Sequence, residues 1–310
     1  MKWTGVMPAM TTCFQPDGQI DHGFVAQHCR WLVDNGSTGV VTPGSLGEAA
    51  TLSFDEKKAL LQTCVRALKG RASVVAAVSS LSTAQSVAFA QAAAEIGCDG
   101  LMVLPPYVYV GDWPEMRAHV AAIFQATPLS CMLYNNPSSY GTDFRPEQIQ
   151  ELAGKYPNFQ AVKESSTDAR RVSAIRALLG DRLEVFIGVD DAILEGVAVG
   201  ATGWVAGLAN AFPRESVDLF EYGRAGKSKE AFELYRWFLP LLRLDTVPKF
   251  VQLIKLVQQE VGVGRARVRA PRMEITGSEL ESTLRIIRHA METRPQRASS
   301  AFAQIQQVGS

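Results

Sequence analysis

Three stretches share one form: Gly36-Ser-Thr-Gly39-Val-Val41, Gly97-Cys-Asp-Gly100-Leu-Met102 and Gly200-Ala-Thr-Gly203-Trp-Val205. The first glycine of each suits the position just past a helix, where φ turns positive, and the second suits a tight approach into a strand. The repetition means that one unit, a helix leading into a parallel strand, is being reused. Outward from these stretches, apolar strand-like runs alternate with amphipathic helical runs up to about residue 225. The strand-like runs end near Ala9, Val41, Val78, Val103, Tyr134, Val162, Ile187 and Val205. Eight such units predict a (β/α)8 TIM barrel over a doubly wound sheet, although periodicity alone does not report closure.

The helices have their own signals. Val25, Cys29 and Leu32 fall at i, i+4 and i+7, on one face of the first helix. Ser53-Phe-Asp-Glu56 and Ser82-Thr-Ala-Gln85 have capping-box spacing and should open helices. After residue 225 the strand signals stop. Glu230 to Leu242, Val247 to Val261 and Ser278 to Met291 read as helices, with a basic loop, Gly262 to Pro271, between the last two. The expected organisation is a catalytic barrel over residues 1–225, a helical segment over 226–292 and a weakly held tail over 293–310. A short helix is expected around Ala301 to Gln307.

Composition excludes several functions. Of 310 residues, 47% are hydrophobic, enough for a large core, and Lys+Arg and Asp+Glu both count 31. A net charge near zero gives no electrostatic reason for a nucleic-acid or membrane-surface partner. No apolar run approaches a membrane span, and Met1-Lys-Trp-Thr-Gly-Val-Met-Pro8 lacks the apolar core of a signal peptide. Cys13, Cys29, Cys64, Cys98 and Cys131 are scattered and form no CxxC. They read as reduced, buried small hydrophobes in a cytoplasmic protein. His22, His28, His119 and His289 lie too far apart in sequence to suggest a metal site.

In a barrel, chemistry gathers at the carboxyl ends of the strands. The run Phe159-Gln-Ala-Val-Lys163-Glu-Ser-Ser166 places a lysine there, at the end of the sixth strand. A strand-end lysine ordinarily turns to water or pairs with a neighbour such as Glu164. Here it shares the mouth with Tyr134 and with the turn Gly44-Ser45-Leu46-Gly47-Glu48. An amine with apolar walls loses hydration in its charged form, so its pKa falls and it can attack a ketone as a neutral nucleophile. A phenol bonded to a hydroxyl suits the proton transfers that follow. A glycine-flanked turn can aim amides at a substrate carboxylate. Leu104-Pro-Pro-Tyr107-Val-Tyr109, Gly188-Val-Asp190-Asp191 and Val205-Ala-Gly207 close the other strand ends. Taken singly, each has an ordinary explanation: a core tyrosine, a loop aromatic, a helix cap at Asp190-Asp191 or a spacing glycine. Their joint placement on successive strand ends is what points to a site.

These residues resemble the dihydrodipicolinate synthase / N-acetylneuraminate lyase family of class I, Schiff-base aldolases and lyases. The resemblance runs from Gly5-Val-Met-Pro-Ala9 to Arg269-Ala-Pro271. It rests on Gly44-Ser45-Leu46-Gly47-Glu48 with Thr51-Leu52, on Tyr134-Asn-Asn-Pro137 and on Val162-Lys163-Glu164. It implies that Lys163 forms the imine with pyruvate or another 2-oxo acid and that Tyr134 is the acid/base phenol. It implies that Ser45 links Tyr134 to Tyr107, which in synthase-type members reaches across a dimer. The amides of Ser45 and Leu46 would hold the carboxylate, and Leu46, Gly47, Ser139, Gly188 and Val205 would form the substrate walls. A homotetramer, no metal and no organic cofactor are also implied. Two positions depart from the synthase pattern. Leu46 stands where synthases carry a second hydroxyl residue, and Ser139 where they carry an arginine for the aldehyde substrate's carboxylate. Serine does not reproduce that bidentate fork. The expected activity is therefore an aldolase, dehydratase or deaminase of 2-oxo acids in carbohydrate, amino-acid or hydroxyproline breakdown. The alternatives are the synthase itself (pyruvate plus aspartate semialdehyde), a barrel holding pyridoxal phosphate, and a non-catalytic barrel that binds 2-oxo acids.

Overall fold

The structure, a computed structural model, describes residues 1–107 and 109–295. The eight strands are β1 (Gly5–Pro8), β2 (Gly39–Thr42), β3 (Ser73–Val78), β4 (Gly100–Val103), β5 (Ser130–Asn135), β6 (Phe159–Glu164), β7 (Glu184–Ile187) and β8 (Gly203–Ala206). All pair in parallel, in the order β1-β8-β7-β6-β5-β4-β3-β2. The remaining seam closes between β1 and β2. Ala9 bridges Val41, the Met10 amide donates to the Val41 carbonyl at 2.9 Å, and the Thr38 amide donates to the Val6 carbonyl at 3.0 Å. The expected (β/α)8 barrel is the fold.

The repeated glycines act as their positions require. Gly36, Gly97 and Gly200 have φ of +99°, +91° and +105°. At Gly203 a Cβ would lie 2.2 Å from the Phe186 ring, so only glycine lets β8 pack there. Ser53 makes the full capping box with Glu56, whereas Ser82 accepts from the Gln85 amide with no bond returned by the Gln85 side chain. An exposed glutamine gains little by immobilising itself.

Alternation along the strands sorts side chains into two layers. Met7, Val41, Met102, Met132, Ala161 and Phe186 fill the barrel interior, while Val6, Val40, Leu101, Leu133, Val162 and Val185 pack outward against the helices. β6 runs two residues past its expected end at Val162. Lys163 is therefore inside the ladder, level with Tyr134 on β5 and Phe186 on β7. The same alternation turns it inward with Ala161.

Beyond residue 225 the helices are Ser228–Leu242, Phe250–Glu260 and Gly277–Glu292. A buried ion pair ties them to the barrel. Lys255 Nζ lies 2.8 Å from Glu48 Oε1, with the two side chains 1% and 0% exposed. Desolvating two charges costs several kcal/mol per ion, so such a pair persists only when its other valences are also met. They are met here. Lys255 donates to the Thr12 carbonyl at 2.8 Å, and the second Glu48 oxygen accepts from the Arg269 amide at 2.9 Å. Glu48 directly follows the Gly44–Gly47 turn, so the clamp fixes that turn from behind. The basic loop is likewise engaged: Arg265 pairs with Asp21 and Arg269 with Glu56. All five cysteines are buried and free. Among the described residues no helix is long and apolar enough to cross a membrane. The helix expected around Ala301 to Gln307 lies outside the described residues, as does the tail from residue 296.

Candidate active site

A cavity of about 560 Å³ opens at the carboxyl ends of the strands, and Leu104, Tyr134, Lys163, Gly188, Val205 and Gly207 line its floor and walls. Lys163 is 6% exposed, and its Nζ sits 4.0 Å from the centroid of the Tyr134 ring. A ring face favours the cation, but by only about 0.5–2 kcal/mol. Burial acts the other way and wins: the Lys163 pKa is pushed below the ordinary lysine value, against the opposing pull of Tyr140, Asp245 and Asp190. Glu164 is no counter-ion for it. That carboxylate accepts from the Asn135 side chain at 3.1 Å and the Ser166 amide at 2.7 Å. Room for the amine comes from Gly188, where a Cβ would lie 2.3 Å from Lys163 Cε.

Tyr134 is as buried as the lysine. Burial pushes its pKa up to about 12, although Asn136 Nδ2 donates to the phenol oxygen at 3.0 Å. The phenol therefore holds its proton at neutral pH. Tyr140 stands edge-on to it, with ring centroids 5.9 Å apart, and the Tyr140 hydroxyl is hydrogen-bonded to Ser45. Burial raises the Tyr140 pKa strongly as well. Three hydroxyl groups, on Tyr134, Tyr140 and Ser45, thus line one side of the amine. Among the described residues the amides of Ser45 and Leu46, on the turn that also bears the Ser45 hydroxyl, have no hydrogen-bond acceptor. Leu46 itself is buried against the cavity. An amine biased to neutrality, a phenol relay and free amides are the parts needed to make an imine from a 2-oxo acid.

Residues 2–290 match the dihydrodipicolinate synthetase family. The chain belongs to that family. It is 30% identical over 282 residues to the 4-hydroxy-tetrahydrodipicolinate synthase of Desulforamulus reducens, covering 91% of this chain and 95% of the relative. It is 33% identical over 267 residues to the enzyme of the same name from a Cyanothece species, covering 86% and 90%. Among solved structures, a dihydrodipicolinate synthase from Bacillus anthracis superposes with a TM-score of 0.89 at 28% identity, over 96% of this chain and 100% of that one. The 4-hydroxy-tetrahydrodipicolinate synthase of Methylacidiphilum fumariolicum gives 0.89 at 28%, over 94% and 98%. The protein is thus an enzyme of a class I, Schiff-base lyase family acting on small molecules.

Against the family pattern, some expected residues sit differently. Within the chain Ser45 pairs with Tyr140 and not with Tyr107, whose hydroxyl donates to the Ser79 carbonyl at 3.3 Å. Tyr107 still borders the cavity, 5.8 Å from Tyr140 between ring centroids. The cause is the short helical turn Pro137–Tyr140, capped by Asn136, which carries a tyrosine back over the mouth. Gly47 is absent from the wall. A Cβ there would meet the Met10 carbonyl at 2.8 Å, and its own carbonyl accepts from Thr12. Ser139 does line the cavity and brings no cation, while Arg272, from the loop before the last helix, borders the same space. Asp190 caps no helix. Its buried carboxylate accepts from Trp204 Nε1 at 3.0 Å, the Gly207 amide at 3.1 Å and the Leu208 amide at 2.7 Å, which fixes the loop after β8. Burial raises its pKa to about 6, those bonds opposing. Among the described residues no group of three or more His, Cys, Asp or Glu gathers as for a metal ion.

Proposed function

We propose that the protein is a lyase in which Lys163 forms an imine with a 2-oxo acid and Tyr134 moves the protons, and that the substrate is not aspartate semialdehyde. The observation that carries the reading is the placement of Lys163: buried, in ion-pair contact with no carboxylate among the described residues, and stacked on a protonated phenol. The free amides of Ser45 and Leu46 suit the carboxylate beside the ketone. The imine is its own electron sink, so bond cleavage beyond it needs no second electron acceptor, only the proton transfers assigned to Tyr134. Ser139 supports the exclusion of the anionic aldehyde, because it leaves the synthase arginine's place without a guanidinium.

Borohydride trapping with pyruvate tests the reading. A peptide containing Lys163 should gain the mass of the reduced adduct. Because the amine must be neutral to attack, the trapping rate should climb with pH and level off below the ordinary lysine value of 10.5. An inflection at or above that value sinks the claim of a depressed amine. A panel of substituted 2-oxo acids, scored for pyruvate, ammonia or water release, then separates aldolase, deaminase and dehydratase.

The reading extends to a homotetramer. Leu81, Tyr109 and Val110, on the loops after β3 and β4, are 70%, 56% and 70% exposed, and exposed apolar side chains favour a partner surface. Sedimentation velocity should show four chains per particle, and a stable monomer overturns it.

A further inference from the structure

The carboxyl that faces the cavity from the C-terminal segment is Asp245, in the turn Arg243–Asp245 before the helix Phe250–Glu260. Its Oδ1 is sealed from solvent and, among the described residues, has no hydrogen-bond partner. A buried polar oxygen left unpaired costs about 1–3 kcal/mol. The fold keeps it there nonetheless, and makes room to do so. At Gly207 a Cβ would lie 2.1 Å from Asp245 Oδ1, so the glycine after β8 is what lets the carboxyl reach the mouth. Asp190 offers no substitute, because its oxygens are taken by Trp204, Gly207 and Leu208.

We propose that Asp245 is a specificity-determining residue of the pocket, and that it holds a hydroxyl on the substrate carbons beyond the imine. This rests on the lyase reading above and narrows it to hydroxyl-bearing 2-oxo acids. The chemistry of the carboxyl agrees. Burial, and then the charge of Asp190, raise its pKa well above the carboxylate range, while Lys163 opposes. A carboxyl accepts from a hydroxyl in either protonation state and can also donate when protonated, so it satisfies an alcohol. A substrate lacking the hydroxyl leaves the carboxyl without a partner, and such mismatches are what polar pockets discriminate against.

The test compares 2-oxobutanoate with 4-hydroxy-2-oxobutanoate, which differ by one hydroxyl. Half-saturation for borohydride trapping at Lys163 is measured in the wild type, in Asp245→Leu and in Asp245→Ala. Adduct mass reports which acid was trapped, and circular dichroism reports folding. The wild type should prefer the hydroxylated acid by about tenfold or more. The variants should lose that preference, read within each protein as the ratio of the two half-saturations, so that a change at Lys163 common to both acids cancels. The alanine variant keeps the test open if leucine crowds Gly207. No preference in the wild type, or a preference that survives in a folded variant, overturns the assignment. A wild type that pyruvate never labels refutes the lyase reading itself, a distinct outcome.

Discussion

Lys163→Arg is expected to abolish labelling by pyruvate and borohydride and to lower turnover by on the order of 10⁴-fold or more, the scale seen when a covalent nucleophile is removed. Arginine keeps the length and the charge of a protonated lysine but is never neutral at accessible pH, so it has no lone pair to offer the ketone. The substitution separates two uses of the residue. If Lys163 only placed a positive charge near the substrate, arginine would retain part of the activity. If it forms the imine, nothing remains. The site leaves little slack for rescue, because Gly188 gives just enough room for the lysine stem and the Tyr134 ring covers one side of Nζ. Circular dichroism should match the wild type, since neither residue type ends β6. Residual labelling in the variant, mapped to another lysine, would remove Lys163 from the mechanism. Lys255 is the other buried lysine, and its ion pair with Glu48 holds it behind the Gly44–Gly47 turn.

Much of this arrangement was legible in the chain because it is local. Lys163, Tyr134 and Ser45 each follow or end an apolar strand-like run, and barrel topology brings strand ends together whatever the intervening helices are. The glycine pairs announced the repeated unit, and their positive φ values and close contacts are the physical content of that signal. What escaped depends on tertiary approach. Asp245 lies 82 positions beyond Lys163, in a turn between two helices that nothing in the pattern aims at the barrel. Glu48 and Lys255 are 207 positions apart, and only their mutual burial reveals the clamp. Tyr140 was closer to readable. It ends a stretch, Asn136-Pro-Ser-Ser-Tyr140, in which a capping asparagine and a proline at the first helical position announce one helical turn directly after β5. Such a turn folds back over the strand it leaves, and the tyrosine at its end meets Tyr134. The expectation for Tyr107 came from the resemblance and not from local pattern, and it is there that the chain's own hydroxyl network differs.

That network sets the second large effect. Tyr134→Phe is expected to lower kcat by about 10²–10³-fold while changing KM by less than about threefold, as for loss of a positioned general acid/base. Imine formation needs a proton delivered to the departing hydroxyl, and cleavage beyond the imine needs one removed or returned. Tyr134 holds its proton at neutral pH because burial pushes its pKa up to about 12, and its ring centroid lies 4.0 Å from Nζ. Phenylalanine keeps the ring beneath Nζ, so packing and the cation–π contact survive and the loss reports the oxygen alone. It also leaves Asn136 Nδ2 without its acceptor, which affects the Pro137–Tyr140 turn more than the binding walls. Tyr140→Phe is the discriminating companion. Its hydroxyl is bonded to Ser45 and touches the reaction through Tyr134, so its loss should cost about tenfold in kcat, with most of the remaining rate still dependent on Tyr134. The double variant should be little worse than Tyr134→Phe, because removing a relay matters only while the group it serves is present. Trapping by pyruvate should slow in Tyr134→Phe yet reach the same final labelling of Lys163, since the nucleophile is intact. If Tyr140→Phe proves the more damaging change, the proton-moving role passes to Tyr140 and the Ser45 bond becomes its anchor.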